Sequence, residues 1–141
     1  MPLTTPVQLR FSDIDAFGHV NNTIYLSLMD LAKTRYFIEA MGGELDIRKA
    51  GLVVVNVNCD FCAPAFFDEE LVVITLTLSV GEKSLTLEQE VVCPAKDGQV
   101  KCRCRTVMCG FDPRTMTAIA ITPEWRNALE KMEGREFPLN K

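Results

Sequence analysis

Between Arg10 and Asp30 the chain reads RFSDIDAFGHVNNTIYLSLMD. The only histidine of the protein, His19, stands there with Asp13, Asp15 and the pair Asn21–Asn22. These residue types can attack a polarised carbonyl. A carboxylate serves as nucleophile or general base. The free N–H groups of a helix's first turn can receive a developing oxyanion, and the positive end of the helix dipole keeps a nearby carboxylate ionised. Turn and capping chemistry explains the same Asp residues without any reaction. His19 has two readings, a hydrogen-bonded turn residue, which is favoured, or a group that orients water or supports a carboxylate. Gly18 suits a positive φ or close packing. Tyr25 reads as core, with its hydroxyl within reach of the junction.

The elements around this junction follow from periodicity. Val7–Phe11 alternates apolar and polar residues and predicts a short strand, and SDIDAFGHVNN is rich in turn formers. A helix is expected from Asn22 or Thr23 to about Met41, capped by Asn21 or Asn22 and stopped by Gly42-Gly43. It is apolar on much of its circumference, so it should be covered on more than one side. From Leu52 the period changes to two. LVVVNVNCDF, LVVITLTLSV, SLTLEQEVVC and VKCRCRTVMCGF predict antiparallel strands with short connections, and Met116–Ile121 a short last one. Thr122 and Pro123 open a terminal helix. A curved antiparallel sheet of five or six strands wrapped around one long apolar helix, an α+β hotdog arrangement, satisfies this order within one domain spanning residues 1–141. The free edges of such a sheet call for a partner, so a homodimer or homotetramer is expected.

Composition narrows the function classes. The 141 residues are 48% apolar and 24% charged, with a net charge of −4. That balance disfavours sequence-independent nucleic-acid binding. No apolar run is long enough for a membrane span, and MPLTTPVQLR lacks the form of a signal peptide, so a cytoplasmic location is expected. The alternating cations of KCRCR, with Lys83, offer Lys101, Arg103 and Arg105 to a polyanion, although such a strand is more usually a solvated face. The same alternation turns Cys102 and Cys104 together toward the core, while Cys59 and Cys62 fall on opposite strand faces. All six cysteines are expected to be reduced, without metal or cofactor, as suits cytosolic chemistry. A cysteine-based metal or redox protein is the rival that CDFC alone supports.

DIDAFGHVNNTIYL resembles the signature of hotdog-fold acyl-CoA thioesterases of the 4-hydroxybenzoyl-CoA thioesterase type, Asp-x-Asp-x-x-Gly-His-Val-Asn-Asn-x-x-Tyr. VNCDFCAPAFFDEELVV, VGEKSLTLEQEV and TPEWRNAL extend the likeness over nearly the whole chain. Ala16 and the HVNN run mark a branch distinct from the one with Pro after the carboxylate. The resemblance implies hydrolysis of acyl-CoA thioesters to free acid and CoA at a site in a dimer interface. Asp15 would be the nucleophile or general base, and the Asn22 N–H would polarise the thioester carbonyl. Asp13 is then structural. The likeness also brings Ser84 near the substrate channel, and it makes CoA phosphates the polyanion for Lys83, Arg103 and Arg105. The alternatives are acyl carrier protein as the acyl donor, or a non-catalytic protein that binds or senses acyl-CoA.

Overall fold

A computed structural model describes residues 2–43, 51–137 and 139–140. Helix α1 spans Asn22–Ala40. The Asn21 side chain accepts the Thr23 N–H at 3.0 Å and caps it. Gly42 and Gly43 take positive φ directly after it and end it. Tyr25, Leu28, Met29, Ala32, Tyr36 and Phe37 recur at helical spacing and are buried. Leu26 and Leu31 on the far side are exposed. The described residues therefore cover one face of α1, and the expected second cover is not supplied among them.

The strands are β1 (Leu3–Val7), β2 (Leu52–Phe61), β3 (Leu71–Gly81), β4 (Ser84–Cys93), β5 (Gln99–Asp112), β6 (Thr117–Ile119) and β7 (Leu139–Asn140), and helix α2 spans Pro123–Glu133. They form one sheet in the order β1-β3-β4-β5-β2, with β6 beside β5 and the two-residue β7 parallel to β3. The remaining pairs are antiparallel. The α+β hotdog arrangement holds, with β7 added to the six antiparallel strands.

Two sequence expectations are corrected. The first strand is Leu3–Val7, not Val7–Phe11. Among the described residues it pairs with β3 alone, so Pro6, which has no N–H to donate, is tolerated at this edge. The Asp13 carboxylate then takes the Arg10 N–H at 2.8 Å and turns the chain into a short 3₁₀ turn at Phe11–Asp13. Second, β2 does not neighbour β3. The segment after it crosses to the other side of the sheet, and β2 pairs with β5. Strand β3 turns its threonines inward. Thr75 and Thr77 are buried, while Ile74, Leu76 and Leu78 are half-buried on the outer face.

Groups on α1, α2 and β4 meet most of the inward polar atoms, while the buried Gln89 Oε1 has no hydrogen-bond partner among the described residues. Gln89 Nε2 donates to the Met29 carbonyl at 2.9 Å and to Thr75 Oγ1 at 3.0 Å. The Tyr36 hydroxyl meets Thr77 Oγ1 at 2.6 Å and donates to the Glu133 carboxylate. This belt divides the core. On one side Tyr25, Met29 and Ala32 pack with Val73, Val91, Cys102 and Cys104. On the other, Tyr36 and Phe37 pack with Leu85, Leu87, Met108, Trp125 and Leu129. Strand β2 stays at the margin of both: Cys59 packs against the first cluster and Leu52 against the second, and its other eight residues are exposed.

Candidate active site

The loop before α1 is a tight turn. Ile14 and Val20 bridge across it, and the Asp15 N–H donates to the His19 carbonyl at 2.8 Å. Gly18 closes it at φ 81°, where a β-carbon would be strained. The Asp15 side chain completes the turn with one oxygen only. Its Oδ1 accepts the Phe17 N–H at 2.9 Å and the His19 N–H at 3.2 Å. Its Oδ2 has no hydrogen-bond partner among the described residues, so one carboxylate oxygen is held and the other is available.

Asp13 has a different task. It is buried, its Oδ1 meets the Arg10 guanidinium at 3.0 Å, and its backbone carbonyl accepts the Asn21 N–H at 2.9 Å. The Arg10 N–H, aided by the guanidinium, outweighs burial and holds its carboxyl below the usual carboxylate range. Asp13 thus fixes the helix entry.

Asn21 and Asn22 divide the cap. The Asn21 side chain takes the Thr23 N–H. The Asn22 N–H, first in the helix, has no acceptor among the described residues, as expected of a first-turn donor. Asp15, His19, Asn22 and Tyr25 line one side of a cleft of about 360 Å³, and Phe61 to Pro64, at the end of β2 and just beyond, line the other. The His19 ring stands edge-on to Phe66 at 5.1 Å. Tyr25 is buried with its ring 5.8 Å from Phe61. Burial, then Cys102 and Glu69, push its hydroxyl up to about 12. It stays a neutral hydroxyl at ordinary pH.

The opposite wall rests on groups the sequence did not point to. The alternation of KCRCR predicts that Lys101 shares an exposed face with Arg103 and Arg105; instead its side chain is 1% exposed. Between the pairs Val91–Cys102 and Val92–Val100 it is the extra residue of a bulge, which turns it inward. Its Nζ donates to the Pro64 carbonyl at 3.0 Å, Glu69 Oε2 at 3.0 Å and Gln99 Oε1 at 2.6 Å. Glu69 also meets Lys96 at 2.7 Å and accepts the Phe66 N–H at 2.8 Å. Burial alone would raise its pKa, but Lys96, the Phe66 N–H and Lys101 bring it down to about 2. A bulge leaves no mark in the alternation of KCRCR, so only the register reveals this support.

The other expected binding residues lie elsewhere in the chain. Arg103 and Arg105 occupy the outer face, where Arg103 meets Glu90 at 2.7 Å and Arg105 approaches Glu88 at 3.9 Å. Each cation faces a carboxylate on β4, as a solvated strand face would arrange it. Ser84 and Lys83 are exposed and lie toward the far end of the sheet. Ser84 pairs with Cys109, whereas the cleft residue Phe61 pairs with Cys102. The seven intervening steps along β5 amount to roughly 23 Å. One chain does not bring these residues to Asp15.

The cysteines need one correction as well. Cys102 and Cys104 are buried, as their alternation requires, but Cys104 is joined to Cys59 by a disulfide. These two face each other across β2 and β5 with Cα atoms 4.3 Å apart, the close spacing of a non-hydrogen-bonded antiparallel pair. The expectation of six free thiols rests on strand alternation and on an expected cytoplasmic location, neither of which foresees which strands become neighbours.

Comparison with known proteins gives the frame for this geometry. Residues 9–129 match the family model of the thioesterase-like superfamily. Long-chain acyl-CoA thioesterase FadM of Escherichia coli (strain K12) is 27% identical over 131 residues, 92% of this chain and 98% of that one. A Thermus thermophilus thioesterase, solved in complex with coenzyme A and Zn, superposes with a TM-score of 0.84 at 28% identity, covering 96% of each chain. The 4-hydroxybenzoyl CoA thioesterase of Pseudomonas sp. strain CBS-3 shares the fold, with a TM-score of 0.78 at 22% identity over 90% of this chain and 98% of that one. The residues that line the cleft, from Asp15 to Pro64, all lie within the matched residues. This chain belongs to the thioesterase-like superfamily.

Proposed function

We propose that the protein hydrolyses acyl-CoA thioesters, with Asp15 as the catalytic carboxylate and the Asn22 N–H as the oxyanion donor. One observation carries this reading: the unbonded oxygen of Asp15 and the unpaired first-turn N–H of α1 belong to residues lining the same cleft. A thioester carbonyl between them would turn its oxygen to the helix end and its carbon to the carboxylate.

Two routes share this arrangement. As general base, Asp15 Oδ2 removes a proton from water, and the water oxygen adds to the carbonyl carbon. The oxyanion leans on the Asn22 N–H. Its collapse breaks the C–S bond, and the CoA thiolate leaves and takes up the proton held on Asp15, which is a carboxylate again. As nucleophile, Oδ2 adds to the carbon itself and expels the thiolate, and water then cleaves the resulting anhydride. His19 keeps Oδ1 in place through its backbone N–H in either case.

A second copy completes the site in this account. Strand β2 has one edge that pairs with no other described strand, with Val53, Val54, Val55 and Val57 exposed, and it ends at the cleft residue Phe61. A homo-oligomer would cover that edge and the exposed side of α1, and it would bring groups such as Lys83 and Ser84 of another copy within reach. Cytoplasmic residence agrees with acyl-CoA as substrate, and no helix among the described residues is long and apolar enough to cross a membrane.

The test is thiol release from short, medium, long and aromatic acyl-CoAs. Long chains come first, because the Escherichia coli relative is a long-chain acyl-CoA thioesterase. Turnover of at least one class supports hydrolysis. Tight binding of acyl-CoA without thiol release would favour a sensor, and turnover confined to acyl carrier protein would move the substrate.

A further inference from the structure

Behind the cleft, three cysteine sulfurs converge from two strands. Cys102 and Cys104 stand two residues apart on β5 and face the same way, with their sulfurs 3.9 Å apart. Cys59 reaches Cys104 from β2, and the three sulfurs all lie within 4.8 Å of one another. Cys102 and Cys104 are at most 1% exposed, while Cys59 is partly open to solvent. Aliphatic and aromatic side chains, among them Tyr25, Met29 and Val91, surround the group.

We propose that Cys59, Cys102 and Cys104, once the disulfide is reduced, form a three-thiolate site for a soft monovalent metal ion of the Cu(I) type. The spacing supports this. Three sulfurs each about 2.3 Å from a shared ion lie about 4 Å apart in a trigonal plane. The Cys102–Cys104 separation already has that value, and Cys59 need only withdraw from its disulfide contact. The donor set decides the metal class. Thiolates select soft ions, and a structural zinc ion asks for four ligands. Among the described residues the cluster comprises these three sulfurs alone.

The disulfide and the metal exclude each other, because both use Cys59 and Cys104. A dithiol reductant attacks the more exposed sulfur, Cys59, and the S–S bond breaks with Cys104 leaving as thiolate. The reductant's second thiol then releases Cys59 and closes its own disulfide, so two electrons pass to the protein. Cu(I) then replaces thiol protons, which go to the buffer. In a reducing compartment the cluster is a metal site, and in an oxidising one it is a strand-to-strand staple.

The experiment titrates the whole protein with Cu(I) against a colorimetric Cu(I) chelator under argon. Four samples are compared: dithiol-reduced wild type, the disulfide form, reduced Cys102→Ser, and reduced Cys62→Ser/Cys109→Ser, which removes two cysteines outside the cluster. Reduced wild type and the double variant should each hold one equivalent with equal affinity. The disulfide form and Cys102→Ser should bind at least tenfold more weakly. Less than half an equivalent on reduced wild type would overturn the proposal. So would wild-type affinity in the disulfide form or in Cys102→Ser, or loss of binding in the double variant. The disulfide arm needs no substitution, so the test stands even if Cys102→Ser does not fold. None of these readings depends on thioester hydrolysis.

Discussion

Replacing Lys101 by methionine separates two views of the basic strand. Methionine retains most of the stem's volume but none of the donors. Three acceptors lose a partner at once: Glu69 Oε2, the Pro64 carbonyl and Gln99 Oε1. Removing one member of a buried ion pair costs about 3–5 kcal/mol, because the partner charge is left uncompensated. Here Lys96 remains on the same carboxylate oxygen at 2.7 Å and offsets part of that loss. The expected cost is therefore about 2–3 kcal/mol. Urea denaturation measures it as a lower midpoint at an unchanged slope. Adding Glu69→Gln should recover part of the loss, because the uncompensated charge goes with it. If Lys101 instead met CoA phosphate from an exposed strand face, the variant would keep wild-type stability and show a raised, salt-sensitive KM. A stability loss below about 0.5 kcal/mol would refute the buried-strut argument.

Three further outcomes follow from the same structure. Thiol titration of unfolded protein should count four free cysteines without reductant and six with it, and reduction should lower stability by up to about 4 kcal/mol for a crosslink spanning 45 residues. Glu69 has a folded pKa below its unfolded value, so the unfolded state binds more protons in that range. Its stabilisation is full above about 4.5 and is lost as pH falls toward about 2, so the difference in melting temperature between wild type and Glu69→Gln should shrink across that window. Light scattering should give at least twice the 15.8 kDa chain mass, and Val55→Lys on the open β2 edge should shift the protein toward monomer; a wild-type monomer at micromolar concentration would remove the shared-site reading.

The parts legible in the sequence are those written locally. The Asn21 cap, the Gly42-Gly43 stop, the turn at Gly18 and the alternation of β3 to β5 each depend on neighbours a few residues away. The parts that escaped depend on which distant strands meet. Cys59 opposite Cys104 is a consequence of β2 pairing with β5, across 45 residues. Lys101 points inward because β4 and β5 are one residue out of step at Val91–Val92. Alternation in β3 is visible in the sequence, but which face meets α1 is not, since Thr75 and Thr77 find partners in Gln89, Tyr36 and Glu133 that only the packed structure supplies. For the site, the motif marks Asp15 and Asn22, whereas the Phe61–Pro64 wall and its Lys101–Glu69 support become visible only in three dimensions.

The central claim is that the Asp15 carboxylate carries the chemistry, and Asp15→Asn tests it most directly. The amide oxygen can still accept the Phe17 and His19 N–H groups, so the turn and the melting temperature should hold. The charge that attacks, or that takes the water proton, is lost. With the best acyl-CoA of the panel, kcat should fall about a hundredfold or more while KM changes little. A folded Asp15→Asn protein that turns over within threefold of wild type would contradict the account and pass the role to another base, His19 first.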